Sequence, residues 1–159
     1  MRRSVMAITA LLFVLAACTA AKQDQARDPE AGQGWIVVSD AAAASVLRTC
    51  SRTSPDPNGS LPRWIPSSTD VIELERALAD LPALTPDGTQ PAASHRQYVG
   101  LVRNGQNVIY VNAWPASIAG PADPAREAVR VCDGGPSFWG AIWDPATRQF
   151  SEHLGNGGF

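Results

Sequence analysis

The sequence predicts an α+β domain, with two N-terminal helices packed on a C-terminal antiparallel β-meander of four to five strands. Three observations carry that prediction. Val71, Leu74, Leu78 and Leu81 recur at helical spacing behind a capping sequence. Asn104-Gly105 separates two apolar runs of strand length. Short apolar runs then alternate with Gly- and Pro-containing turns as far as Leu154, and helices followed by strands read as α+β.

Taken in order, Trp35-Ile36-Val37-Val38 is a short apolar run with strand character. Ser39 can cap a first helix through Ala42, Val46 and Leu47 to Cys50. Residues 51–66 carry four prolines plus Asn58-Gly59 and read as loop. The second helix opens with a capping arrangement, Ser67-x-x-Asp70 or Asp70-x-x-Glu73, and Pro82 ends it. Tyr98 to Arg103 and Gln106 to Trp114 form a hairpin about Asn104-Gly105, a pair suited to a type I′ turn in which both central residues need positive φ. A Pro/Gly-rich loop, Pro115 to Pro124, precedes a strand near Ala128 to Cys132. After a turn at Asp133-Gly134-Gly135-Pro136 come a strand from Ser137 to Trp143, a turn at Asp144 to Thr147 and a last strand from Arg148 to Leu154.

Both faces of these strands are apolar. The turn sets Leu101 opposite Val108 and Val99 opposite Tyr110 on one face, with Gly100 opposite Ile109 and Tyr98 opposite Val111 on the other. Trp139, Ala141 and Trp143 likewise point away from Phe138 and Ile142. A sheet with one wet face alternates apolar and polar side chains, and these strands do not. Either one helix covers each face, or both helices share one face and the other presents an aromatic surface to a partner. Tyr110, Trp114, Trp139 and Trp143 are the binding candidates under the second arrangement, since such rings join apolar area to a hydrogen-bonding edge.

The composition fits one globular domain: 159 residues, 45% hydrophobic and 18% charged. With 13 Lys plus Arg against 15 Asp plus Glu, no basic excess points to phosphate neutralisation, so a nucleic-acid partner is not expected.

Residues 1–17 have the order of a bacterial secretion signal: Arg2 and Arg3, an apolar run from Val5 to Ala17 interrupted by Thr9, then small residues before Cys18. The run is too short to span a bilayer, which takes about 20 residues. Leu15-Ala16-Ala17-Cys18 resembles the lipobox of bacterial lipoproteins, which implies cleavage before Cys18 and acylation of its thiol. An ordinary secretion signal is the alternative. The resemblance also implies, from Thr19 in place of a retention-signalling Asp, an outer-membrane protein facing the periplasm. Removal of Arg2 and Arg3 with the leader leaves 11 basic against 15 acidic side chains, a net charge of −4. The expected membrane partner is therefore reached through lipid on Cys18 and not through a basic patch. Residues 18–34 form a polar tether of about 20–24 Å mean span, and 35–159 form the single domain.

With Cys18 assigned to lipid, Cys50 and Cys132 remain, in a compartment where disulfides persist. They are expected to pair, at about 4–5 kcal/mol on the chain-entropy model; two separate buried thiols are the alternative. With His95 and His153 they match no zinc spacing, so no metal or other cofactor is expected.

The sequence holds no GxSxG, HExxH or GxGxxG motif. Ser94-His95 and Ser151-Glu152-His153 place hydroxyls beside imidazoles, but neighbouring strand residues face opposite ways. Asp56 to Ser60 opens like a calcium loop but lacks the later carboxylates, and reads as a turn. Asp133 to Pro136 reads as a tight turn, with a surface for close backbone approach as its functional alternative.

The segments RQYVGLVRNGQNVIYVNAWP and VCDGGPSFWGAIWDPATRQF are similar to small lipoproteins of proteobacteria, a resemblance confined to the second half of the chain that transfers no catalytic residue. The expected function is a non-enzymatic binding or accessory module for an envelope protein or envelope component. The alternative is a proteinaceous inhibitor of an envelope or host hydrolase, presenting Ser51 to Ser60 or Pro115 to Pro124; a small hydrolase using His95 or His153 comes third.

Overall fold

The computed structural model describes residues 34–57 and 63–157; the leader, Cys18, the tether up to Gln33 and the stretch Asn58 to Pro62 lie outside them. The elements run β1 (Gly34–Ile36), α1 (Asp40–Val46), α2 (Ser68–Ala77), β2 (Ser94–Arg103), β3 (Gln106–Pro115), β4 (Trp139–Asp144) and β5 (Gln149–Gly155). The five strands form one sheet in the order β1-β2-β3-β4-β5.

The class is α+β as expected, with two corrections. The sheet is mixed, because β1 pairs in parallel with β2, Gly34 opposite Arg96 and Ile36 opposite Tyr98. The helices accordingly follow a strand instead of leading the domain. The second correction concerns Ala128 to Cys132, which is irregular and joins no ladder. Its main-chain groups bond to side chains of the sheet, as described below. The four strands β2 to β5 do form a consecutive antiparallel meander.

Local chemistry explains the elements. Asn104 and Gly105 have φ of 52° and 77°, the paired positive angles of the expected turn. The register follows from it: Arg103 opposite Gln106, Leu101 opposite Val108, Val99 opposite Tyr110. The Ser67 hydroxyl accepts from the Asp70 amide at 3.2 Å while the Ser67 amide donates to the Asp70 carboxylate at 2.8 Å, closing a capping box. Helix α1 is capped by Ser39 but ends at Val46, short of Cys50. There the Ser54 hydroxyl takes the free carbonyl of Leu47 at 2.6 Å. Beyond the end of β1, Arg63 bridges to Leu101 along the same side of β2. Gly100 allows that approach, since a Cβ there would lie 2.2 Å from the Trp64 carbonyl oxygen.

One helix covers each face. Val71, Leu74 and Leu78 of the second helical segment pack with Tyr98, Ile109, Val111, Trp139, Ala141 and Trp143. On the opposite face Ala42, Ala43, Val46 and Leu47 pack with Val99, Leu101, Val108, Tyr110 and Ile142. This doubly covered arrangement explains why the strands lack polar alternation. Cys50 and Cys132 are joined by a disulfide that closes a separation of 82 residues with Cα atoms 5.3 Å apart.

Helix α2 is also tied to the sheet by charge. Arg96 is fully buried; its Nε and Nη2 donate to the two Glu75 carboxylate oxygens at 2.8 Å each. Nε also reaches the Tyr98 hydroxyl at 2.9 Å, and Nη1 donates to the carbonyls of Pro91, Ala92 and Ser94. Every nitrogen of the guanidinium is thus bonded, and the charge is paired, which lets a buried ion pair be tolerated. Glu75→Ala is expected to cost about 3–5 kcal/mol in urea unfolding, because Arg96 stays buried without its counter-charge. Arg103→Ala, which breaks an exposed pair with Glu152, is expected to cost less than about 1 kcal/mol. Equally small losses for both variants would contradict this assignment.

Candidate functional site

The four aromatic candidates do not form a surface. Tyr110, Trp114, Trp139 and Trp143 are 2%, 1%, 1% and 1% exposed. They also divide between the faces: Trp139 and Trp143 lie under α2, Tyr110 under α1. The register accounts for the division, as Tyr110 faces Ile142 across β3 and β4 while Val111 faces Ala141. The apolar stripes on both sides of the strands therefore reflect a core on both sides.

His95 is separated from the hydroxyl beside it in sequence. Ser94 turns to the α2 face, where its hydroxyl accepts from the Trp139 indole at 3.0 Å. His95 turns the other way, its ring centroid 5.6 Å from that of Trp35 and 5.5 Å from that of Trp114. His153 meets the Trp139 ring edge-on at 5.2 Å, and burial lowers its pKa below the ordinary 6.5. His95 Nδ1 and His153 Nε2 are buried without a hydrogen-bond partner among the described residues. No group of three or more His, Cys, Asp and Glu side chains is placed to hold a metal among the described residues, and no described helix is long and apolar enough to cross a membrane.

What stands out of the core is the loop after β3. Residues 116–120 are exposed, with Ile118 at 44%. The loop is held from below: the Ile118 amide donates to the Pro115 carbonyl at 2.9 Å, and the Trp114 indole donates to the Ile118 carbonyl at 3.1 Å. Trp114 itself stacks on Trp35 with centroids 6.1 Å apart and planes at 17°. Trp114 thus serves a candidate binding element as its support and not as its surface. By contrast, the described part of the other candidate loop is turned inward. Ser51 accepts from the Asp133 amide through its hydroxyl and from the Gly157 amide through its carbonyl, and Arg52 reaches over the sheet.

A second locus is polar and was not anticipated from the sequence. Arg52 lies over the α1-side sheet face, where Nε donates to the Tyr110 hydroxyl at 3.1 Å, Nη2 to Asn112 Oδ1 at 2.5 Å and Nη1 to Asn156 Oδ1. Gly140, opposite Asn112 on β4, makes room for it, since a Cβ there would sit 2.5 Å from the Tyr110 hydroxyl and 2.9 Å from Arg52 Nε. Burial pushes the Tyr110 hydroxyl above its ordinary pKa of 10.0, with Arg52 opposing the shift.

Beside Arg52 an amide network fastens residues 124–131 across the same face. Gln97 Nε2 donates to the carbonyls of Pro124 and Glu127, both at 2.7 Å, and Gln97 Oε1 accepts from the Val129 amide at 2.9 Å and from Asn112 Nδ2 at 3.1 Å. Asn112 Nδ2 also donates to the Val129 carbonyl at 2.9 Å, and Asn156 Nδ2 to that of Val131 at 2.6 Å. The segment expected to be a strand is thus bonded by side-chain amides in place of a neighbouring backbone. The signal available in the sequence was the interruption of apolar strands by Gln97, Asn112 and Gly140.

No protein-family model matches the chain, and neither a curated protein nor a solved structure is significantly similar to it.

Alanine at Trp114, Trp139 or Trp143 is expected to cost about 3–5 kcal/mol, seen as a matching loss in denaturant midpoint. A variant that keeps its midpoint while losing a surface interaction would return that residue to the surface.

Proposed function

We propose that this protein is a lipid-anchored component of the bacterial cell envelope that acts as a non-enzymatic binding module. The anchor is acylated Cys18, placed in the outer membrane and facing the periplasm, and the binding element is the loop of residues 115–124. Support for the compartment comes from the leader and from the Cys50–Cys132 disulfide, since such bonds persist outside the reducing cytoplasm.

The observation that carries the binding reading is the braced loop. Ile118 is exposed on a turn whose geometry is set by Pro115, by the Trp114 indole and by Gly120, which packs so near the Trp114 ring that a Cβ would fall 2.9 Å from it. A loop already ordered before binding loses less conformational entropy when it docks. Asp123 closes the far end, pairing with Arg126 at 2.9 Å and accepting from the Ala125 amide at 3.2 Å. The tip offers one branched aliphatic side chain among small residues, which suits an uncharged pocket on a protein partner.

A hydrolase inhibitor stands second. A protease-inhibiting loop must offer a carbonyl to the enzyme's oxyanion donors, and at Ile118 one lone pair of that oxygen is already taken by the Trp114 indole.

Intact-mass analysis of membrane-extracted protein is expected to show added acyl mass, absent in Cys18→Ser. Ile118→Asp is expected to leave stability within about 0.5 kcal/mol while removing a partner that co-purifies stoichiometrically with the wild type from solubilised envelope. Unmodified Cys18 would overturn the anchor, and an undiminished partner in Ile118→Asp would overturn the loop.

A further inference from the structure

Arg52 overlooks a cavity of about 10 Å³, room for one water-sized group. Its wall is made by Val46, Thr49, Arg52, Asn112, Arg130 and Asn156, among others, and holds two arginines and no carboxylate. That imbalance is unusual in a chain whose overall charge is −2. Among the described residues no carboxylate is a hydrogen-bond partner of the Arg52 guanidinium: its three bonds go to a phenol and two amide oxygens, all neutral. A partly buried charge is stabilised by an opposite charge or by a full set of hydrogen bonds. A guanidinium carries five N–H donors, and these three acceptors leave one N–H on each terminal nitrogen.

We propose that this cavity binds one small monovalent anionic group, held by the forked N–H groups of Arg52 and drawn in by the positive charge of Arg130, which also lines it. The space is about that of one water-sized group, which favours a halide ion or a single carboxylate oxygen over a bulkier anion. The donor set selects the charge. Asn112 and Asn156 turn their carbonyl oxygens to Arg52 and spend their amide groups on Gln97 and on the carbonyls of Val129 and Val131. They orient the fork without neutralising it. Thr49 holds the Arg52 main chain by donating to its carbonyl at 2.6 Å. The site therefore joins the end of α1, the sheet and the segment of residues 124–131. An anion there would be read out as stability of the whole α1 face. This inference is independent of the lipid anchor and of the exposed loop.

The test is the melting temperature of the disulfide-bonded mature protein in three sodium salts at equal ionic strength: chloride, formate and isethionate, whose bulkier sulfonate is the size control. At about ten times its Kd, a bound group is expected to raise the melting temperature by about 4 °C over isethionate. A rise in chloride alone supports a free halide, and a rise in formate alone supports a carboxylate. A rise in both supports the shared anionic chemistry. Arg52→Lys keeps the charge without the fork and is expected to abolish the rise. Arg130→Gln, at an exposed position where folding is not at risk, is expected to reduce it by about half or more, and carries the test if the first variant does not fold. Identical melting in all three salts, or a rise that persists undiminished in Arg130→Gln and in a folded Arg52→Lys, would overturn the proposal.

Discussion

Gln97 and Asn112 face each other across the central antiparallel pair and place two amide side chains in the middle of an otherwise apolar sheet face. A buried amide left unbonded costs about 1–3 kcal/mol, so this pair obliges the chain to bring polar main chain to it. Residues 124–131 do so. Their carbonyls and one amide take up the bonding capacity of Gln97, Asn112 and Asn156. The disulfide at Cys132 joins the end of α1 to the covering segment directly, and Arg52 arches over Gly140 to Asn112 and Asn156, whose amide groups hold that segment. The α2 face solves its problem differently, with a single buried ion pair, Arg96 to Glu75, set among apolar side chains.

This division explains which parts of the fold were legible in the sequence. The hairpin and the α2 capping box are written in short-range chemistry: Asn104-Gly105 supplies the positive φ angles, and Ser67 with Asp70 supplies reciprocal caps. The disulfide followed from cysteine arithmetic. Strand β1 is only three residues long, and nothing local in Gly34-Trp35-Ile36 distinguishes a parallel edge from an antiparallel one. Residues 128–132 have the composition of a strand, yet the tertiary partners they meet are side chains, and no propensity encodes that. The loop Pro115 to Pro124 was named as a presenting element from composition, whereas its support by Trp114 depends on packing. Arg52 was invisible for the same reason, since its partners lie 58, 60 and 104 residues away.

Covering both faces also decides where outward chemistry can be. Tyr98, Tyr110, Trp139 and Trp143 are used up in the two cores, so recognition falls to what lies beside them: the Ile118 loop on its tryptophan support, and the arginine cavity beside the covering segment. The outer edge of the sheet is a poor alternative. Strand β5 carries a register shift opposite Gly140 and Ile142 and a positive φ of 52° at Glu152, a bulge of the kind that disrupts edge-to-edge pairing.

The central claim is that side-chain amides hold residues 124–131 in place of a strand neighbour, and hydrogen exchange at the Val129 amide measures it directly. Its donor bond ends on Gln97 Oε1. In the wild type this amide is expected to be protected, and in Gln97→Met to exchange about tenfold faster or more while Val111, inside the β3 ladder, keeps its rate. A Val129 amide that exchanges as an unprotected one in the wild type, or at the same rate in both proteins, would contradict the account.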